Sequence, residues 1–322
     1  MIFFGENKSG RFRLPEAASV VINCELDVPA DDMTVTFPVS DLPPLWRIYA
    51  ACDGSPVPGE SMEGVCFCGV VDEQITSGDG AVYTTTICAR SPAALPLDSE
   101  CEYGEYVNPS LEVMTSRHLA PFGIASDSAP AQTLRGTMTV ARGRSHYYAV
   151  RRFCSIFLGT VPRIDSLGRF RPDVRLGGEA IIFSPVTHGH NVQNRRLFTR
   201  LTVKQRRYSL ISRVTAETGE KPAVVTDAKA ASDGITRERR ISLPNSRTGT
   251  LSDADELIRK GRAASFEAEL LCHGFLGDIV GRRAVLEAQG LEKTALIVTK
   301  TRYTGSAGTQ TTRVTLAPQE VL

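Results

Sequence analysis

Apolar and polar positions alternate along much of this chain with the two-residue period of a half-buried strand. Ser19-Val-Val-Ile-Asn-Cys-Glu-Leu26 and Met33-Thr-Val-Thr-Phe37 are rich in β-branched residues, and the second alternates strictly. Trp46–Cys52, Gly64–Asp72 and Ala81–Cys88 continue the pattern, with turn residues at Ser77-Gly-Asp-Gly80. Five or six short strands over about residues 10–92 predict a small barrel or sandwich.

The period then changes. Asn108-Pro109 reads as an N-cap with proline in the first helical position, opening a helix to about Leu119 that Pro121-Phe-Gly123 ends. A second helix is predicted from Ser145, with Val150, Phe153, Cys154 and Phe157 on one face and Gly159 closing it. Arg163–Arg171 reads as a hairpin turning at Ser166-Leu-Gly168. Helix, loop, helix and hairpin make a compact α/β insert with little room for a parallel sheet.

From about residue 195 the strand pattern resumes, at Leu197–Val203, Tyr208–Val214 and Ala223–Thr226. Ser252-Asp-Ala-Asp255 resembles a capping box for a short helix ending at Gly261. Strands return at Ser265–Cys272 and Arg283–Glu287, and a long hairpin spans Ala295–Tyr303 and Thr309–Leu316. The fold class expected is mainly β with an α+β insert. Two β-modules, 1–95 and 191–322, flank a small α/β domain at 96–190, and the second carries the helix near 252–261.

Composition narrows the function. At 322 residues the chain exceeds one typical core. Its 42% hydrophobic and 23% charged residues are ordinary globular values. Aromatics at 7% give no stacking surface for single-stranded nucleic acid. The net charge of +1 hides an asymmetry: residues 1–135 carry 7 Lys and Arg against 19 Asp and Glu, the remainder 30 against 17. Met1-Ile-Phe-Phe-Gly-Glu6 lacks the form of a signal peptide, and no apolar run approaches a membrane span, so synthesis in a cytoplasm is expected. Eight scattered cysteines fit buried free thiols. Cys66 and Cys68 are expected on one strand face, but His188-Gly-His190 and Cys272-His273 lack zinc spacing, so no metal or other cofactor is expected.

Enzyme readings find little support. The five histidines sit in no nucleophile-elbow or papain-like context, and His146 beside Tyr147-Tyr148 reads as packed or surface. No H-E-x-x-H or P-loop occurs. Glu100, Glu102 and Glu105 read as a solvated loop rather than glycosidase carboxylates. The sharpest charged feature is Arg195, Arg196, Arg200, Lys204, Arg206 and Arg207. On a strand, Arg196, Arg200, Lys204 and Arg206 share parity and line one face. We take these four as candidate assembly-interface residues, facing an acidic partner such as the N-terminal module of a neighbouring copy.

One run of motifs is shared with a known family. Phe67-Cys-Gly69-Val-Val-Asp72 leads to Ala89-Arg90-Ser91 and then to Leu95-Pro-Leu97-Asp98. Asn108-Pro-Ser-Leu111-Glu, Pro121-Phe-Gly123-Ile124, Phe153-Cys154, Pro162-Arg163 and Gly168 follow in order. Over about residues 18–172 this run resembles the baseplate hub family of contractile phage tails and tail-derived particles, including tailocins and defective prophages of Gram-positive bacteria. That family is related to the hub portion of the VgrG proteins of type VI secretion. Pro96 departs from the usual apolar step.

The resemblance implies a structural, non-enzymatic hub. It implies that the modules 1–95 and 191–322 are two tube-like β-barrel domains, and that a trimer of such chains forms a ring that adapts a sixfold tail tube to a threefold central spike. The partners implied are further copies of itself, the spike, and the tail tube or tube initiator, with the tape-measure end and baseplate wedges as further neighbours. Neither stable nucleic-acid binding nor membrane insertion is implied. The implied location is the host bacterial cytoplasm during assembly, then the tail baseplate. A hub-like tail-tip protein of a non-contractile phage or secretion-type injection machine is the alternative, and a tail-associated cell-wall hydrolase a distant third.

Overall fold

The computed structural model describes residues 1–26, 28–52, 62–80, 82–126, 134–186, 194–217, 222–242 and 250–321. Two compact units divide the chain. The first holds residues 1–177, 273–281 and 299–313, and the second holds 178–272, 282–298 and 314–322.

In the first unit the chain starts in strand, at β1 (Ile2–Asn7) and β2 (Gly10–Arg13), a hairpin the alternation argument did not reach. The predicted strands follow as β3 (Ser19–Glu25), β4 (Asp32–Phe37), β5 (Arg47–Ala51), β6 (Val65–Asp79) and β7 (Val82–Arg90). They form a sheet in the order β3-β4-β7-β6-β5-β1-β2. Alternation becomes burial: in β4, Met33, Val35 and Phe37 are buried between less buried neighbours. Phe3 on β1 meets Phe37 on β4 edge to face, ring centroids 5.8 Å apart, although β7, β6 and β5 lie between their strands. Contact across that many strands requires a sheet strongly curled over its apolar face.

Residues of the expected insert pack around a core of their own within this unit, centred on Met114, Leu119, Met138, Val140, Val150 and Phe153. Its elements are α1 (Ala94–Asp98), β8 (Gly104–Val107), α2 (Leu111–His118), β9 (Ala125–Ser126), β10 (Thr137–Val140) and α3 (His146–Phe153), then the hairpin β11 (Arg163–Ile164) and β12 (Arg169–Arg171). The cap of α2 is Ser110, whose Oγ accepts from Val113 N, and not Asn108. Asn108 instead takes a left-handed φ of 48° and its side chain accepts from Gly136 N at 3.0 Å, tying the loop to the start of β10. Ser145 caps α3 as expected, and Gly159, at φ 62°, ends the π-turn that prolongs it. A small parallel pairing does occur, between β12 and β9.

The second unit contains β13 (Leu176–Pro185), from Gly178 onward, then β14 (Arg195–Gln205), β15 (Arg213–Glu217) and β16 (Ala223–Thr226). Next come α4 (Ala228–Ser232), β17 (Glu238–Ser242), α5 (Thr250–Ser265), β18 (Phe266–His273) and β19 (Arg282–Ala288). The terminal hairpin is β20 (Leu291–Ser306) and β21 (Thr309–Pro318). Strands pair in the order β19-β13-β14-β18-β21-β20, and β20 pairs back to β19, closing a six-stranded barrel. The outer half of β20 is a separate matter: Lys300–Ser306 run antiparallel to β3 within the first unit.

Beside the barrel, Val214 of the small sheet β16-β15-β17, with Ile211 just before it, packs against Ala254 and Ile258 of α5. Tyr208 does not enter a strand, because residues 207–209 form a single 3-10 turn. The helix expected from Ser252 to Gly261 runs from Thr250 to Ser265. Gly261 therefore stops nothing. A Cβ there would lie 2.8 Å from the Ser209 carbonyl oxygen, so glycine permits a close approach of helix to backbone.

Candidate assembly surface

The four basic candidates lie on or just after β14, which runs parallel to β13 and antiparallel to β18. Phe198 pairs with Cys272, and Arg200 pairs with Leu271, so Thr199 is an extra residue in the ladder. Cys272 and Leu271 face opposite ways, and paired residues share a face, so Phe198 and Arg200 also face opposite ways. Arg196 sits two residues before Phe198 and opposite the buried Phe183, on the face away from Arg200. The expected row of four is broken: Arg200 and Lys204 share the exposed face, whereas Arg196 is partly buried on the other.

Lys204 lies opposite Glu267 in the register, and its Nζ is 2.7 Å from Glu267 Oε1. Arg206, in the turn after β14, reaches the other oxygen at 3.0 Å. The bond from Lys204, with that from Arg206, holds the Glu267 carboxyl below its ordinary value despite its partial burial. Two of the four cations are thus tethered by one carboxylate, which presents them in fixed positions.

The residues that carry the family resemblance come together through their side chains. Arg90 at the end of β7 donates from Nε and Nη2 to Asp72 of β6, at 2.7 and 2.9 Å, and its Nη2 also reaches Asp98 of α1 at 2.6 Å. These bonds raise Arg90 above its ordinary value. Ser91 N donates to the Asp31 carbonyl at 2.7 Å, and Asp31 N donates back to Ser91 Oγ at 3.2 Å. A Cβ on Gly69 would lie 2.8 Å from Ala89 Cβ, so only glycine fits between β5 and β7. Gly123 and Gly168 take left-handed φ values of 72° and 80°. Each of these residues joins backbone or elements together.

Beneath them lies a buried charge cluster. Arg163 Nη2 donates to both oxygens of Asp31 at 2.9 Å, and Ser166 Oγ adds a third bond at 2.8 Å. Arg163 and Asp31 have side chains only 2% and 1% exposed. Burial pushes the Asp31 carboxyl up to about 6 against the pull of Arg163, with Asp278, 3.6 Å from the guanidinium, adding to the rise. Asp165 is held by Arg169 and Arg171 at 2.9 and 3.0 Å. The cluster locks the β11–β12 hairpin to the loop after β3.

His118 and His146 pair with each other. His118 Nε2 is 2.8 Å from the Tyr106 hydroxyl, and its Nδ1 is 3.1 Å from Nδ1 of His146. Burial, helped by the neighbouring His146 and Arg117, lowers His118 to about 4. Glu100, Glu102 and Glu105 are exposed, and Glu102 reaches only Arg117 at 3.4 Å. Cys66 and Cys68 do not form the expected pair: Val65 and Phe67 sit opposite successive residues of β5, so alternation fails at Cys66. Burial pushes the two thiols up to about 12 and about 11. Among the described residues no group of three His, Cys, Asp or Glu side chains gathers as metal ligands, and His188 and His190 lie outside those residues. No described helix is long and apolar enough to cross a membrane.

No family model matches the sequence, and neither does any curated protein. Solved structures match over nearly the whole chain. The 43 kDa tail protein of prophage MuSo2 from Shewanella oneidensis superposes with a TM-score of 0.76 at 13% identity, covering 99% of both chains. The tail protein from Neisseria meningitidis MC58 gives 0.74 at 13% identity, covering 99% of this chain and 97% of that one. The E. coli c3393 protein, a type VI secretion component with structural similarity to the T4 bacteriophage tail proteins gp27 and gp5, gives 0.55 at 9% identity over 94% of this chain and 73% of that one. The fold is that of phage and prophage tail proteins, and a type VI secretion component shares it.

Proposed function

We propose that this chain is a structural, non-enzymatic baseplate hub, three copies of which form a ring that adapts a sixfold tail tube to a threefold central spike. The carrying observation is the end-to-end likeness to a prophage tail protein, with 99% of each chain superposed. The residues shared with the hub family support the reading, because Asp72, Arg90, Asp98 and Gly69 do architectural work. In this reading residues 1–95 and 191–322 are tube-like modules around an insert at 96–190. Two similar modules per chain turn threefold symmetry into a six-part face.

The partners are further copies of the chain, the spike, and the tail tube or its initiator, with the tape-measure end and wedge proteins as further neighbours. The exposed face of β14, carrying Arg200 and Lys204 with Arg206 beside it, meets an acidic neighbour; Arg196 contributes through packing on the opposite face. The protein assembles in the host cytoplasm and ends in the tail baseplate. A second reading, a tip protein of a secretion-type injection machine, is favoured by the likeness to the type VI secretion component.

Light scattering on the purified chain, with negative-stain images of it bound to tail tube, tests the proposal. A particle of three 34.9 kDa chains with six lobes around a channel is the expected result. A chain that stays monomeric both alone and with tube overturns the ring. Clearing of cell-wall material in a zymogram overturns the non-enzymatic part.

A further inference from the structure

The second unit contains a cavity of about 490 Å³ walled by α4, the last turn of α5, the start of β20 and the chain after β21. That volume lies within the range of sites that bind small molecules or side chains. Four cations line it, and two are already engaged, one by a carboxylate and one by a backbone carbonyl. Arg262 donates to Asp227 at 2.7 Å, and Arg207 donates to the Asp233 carbonyl at 2.6 Å. Lys229 and Lys293 form no ion pair among the described residues.

Lys293 is the less ordinary of the two. Its Nζ lies 3.5 Å from the centroid of the Phe266 ring, so an aromatic face stands where a carboxylate would be expected. Burial lowers this ammonium, the like charge of Lys229 lowers it further and Glu320 opposes them, which places Lys229 and Glu320 within the field of Lys293. The backbone beside it is strained. Ala295 takes a φ of 57° where the β19–β20 register slips, a conformation costing a non-glycine residue on the order of 1 kcal/mol. Bulges of this kind re-aim side chains and recur beside functional sites.

We propose that this cavity binds the carboxylates of an acidic polypeptide segment, with Lys229 and Lys293 as the anion-holding groups. Two ammonium groups that line one cavity and form no ion pair among the described residues, although Glu320 acts on Lys293, are most favourably satisfied by an anion from outside the chain. Carboxylates fit better than phosphates for a reason visible in the lining. Asp227, Asp233 and Glu320 border the same space and repel a doubly charged phosphate more than a singly charged carboxylate, while Leu210, Phe266 and Pro318 suit the apolar stems of acidic side chains. The segment adds a protein contact separate from the β14 face, and the cavity does not depend on the ring for its occupancy.

Fluorescein-labelled octaglutamate, titrated into the full chain at low salt and followed by anisotropy, tests this. Saturable binding is expected to weaken at least about tenfold in Lys229→Ala/Lys293→Ala, as loss of charge-assisted contacts requires. The Arg239→Ala/Arg240→Ala chain, equally reduced in charge on exposed β17, is expected to bind like wild type. If the double lysine variant does not fold, Lys229→Ala alone serves, since Lys229 is exposed, and binding is expected to weaken about threefold. No saturable binding, equal binding by the lysine variants, or equal weakening in the β17 control overturns the site. Displacement of the probe by inorganic phosphate or a single-stranded oligonucleotide at matched charge overturns the choice of carboxylate.

Discussion

Arg163 and Asp31 form an ion pair in which one guanidinium nitrogen, Nη2, bonds both carboxylate oxygens at 2.9 Å, with both side chains almost completely buried although 132 residues separate them in the sequence. The pair ties the β11–β12 hairpin to the loop between β3 and β4. Removing one partner leaves a charge in the interior with no solvent to receive it. Arg163→Leu is expected to destabilise the chain by about 3–5 kcal/mol, read as a lower midpoint in urea. Arg163→Lys should recover only part of that, because a single ammonium cannot reach Asp31 and also replace the bond from Nη1 to the Glu25 carbonyl at 2.9 Å. A loss below about 1 kcal/mol would mean the cluster is held by its packing.

His118 makes the fold sensitive to acid. Its folded value of about 4 lies below the 6.5 of an unperturbed imidazole. Between those values the unfolded chain binds a proton that the folded chain refuses, so stability falls as pH drops from 6.5 toward 4. Asp31, raised to about 6, acts with the opposite sign in part of that window, so the test is a difference: thermal melts of His118→Gln should lose less stability between pH 6.5 and 4 than those of wild type. An unchanged slope in the variant would place the acid sensitivity elsewhere.

Gly261 allows a test by sign. Within an exposed helix Gly→Ala would stabilise by up to about 1 kcal/mol. Here the added Cβ would sit 2.8 Å from the Ser209 carbonyl oxygen, and Gly261→Ala is expected to destabilise by about 1–3 kcal/mol. A higher melting temperature would show that α5 can move off Ser209 without cost.

The curl of the first sheet depends on the meeting of Phe3 and Phe37. Phe3 is 2% exposed and Phe37 fully buried, so Phe3→Ala opens a cavity between strands that are not neighbours. The expected cost is about 3–5 kcal/mol by chemical denaturation. Phe3→Leu, which keeps most of the volume, should cost less than half as much.

The exposed face of β14 is tested by charge. Arg200→Glu/Lys204→Glu should change the stability of the folded chain by no more than about 1 kcal/mol, since exposed pairs contribute little. The same change should abolish self-association in light scattering, and added salt should weaken the wild-type assembly. Self-association indifferent to both would remove these residues from the interface.

How much of this was legible beforehand follows from the range of each interaction. Strands β3 to β7 and β18 to β21 declare themselves because alternation is local, and burial in β4 repeats it residue by residue. Ser145 and Gly159 were readable as helix ends because capping acts within one turn. Asn108 and Gly261 carried the same local signals and do other work. One side chain bonds Gly136 across a loop, and the other position lies against Ser209. The basic row on β14 was legible as composition but not as a face, because a single extra residue at Thr199 turns Arg196 away from Arg200.

From the sequence alone came the β class, the capped helices and the ordered motifs from Phe67 to Gly168, all signals confined to a few neighbouring residues. Tertiary structure decided the closure of β19 through β20, the Arg163–Asp31 pair, the triad of Asp72, Arg90 and Asp98, and the side on which each β14 cation lies. The physical reason is that these depend on register and on residues distant along the chain. A one-residue shift in pairing reverses every side chain beyond it, and hydrophobic spacing carries no record of such a shift.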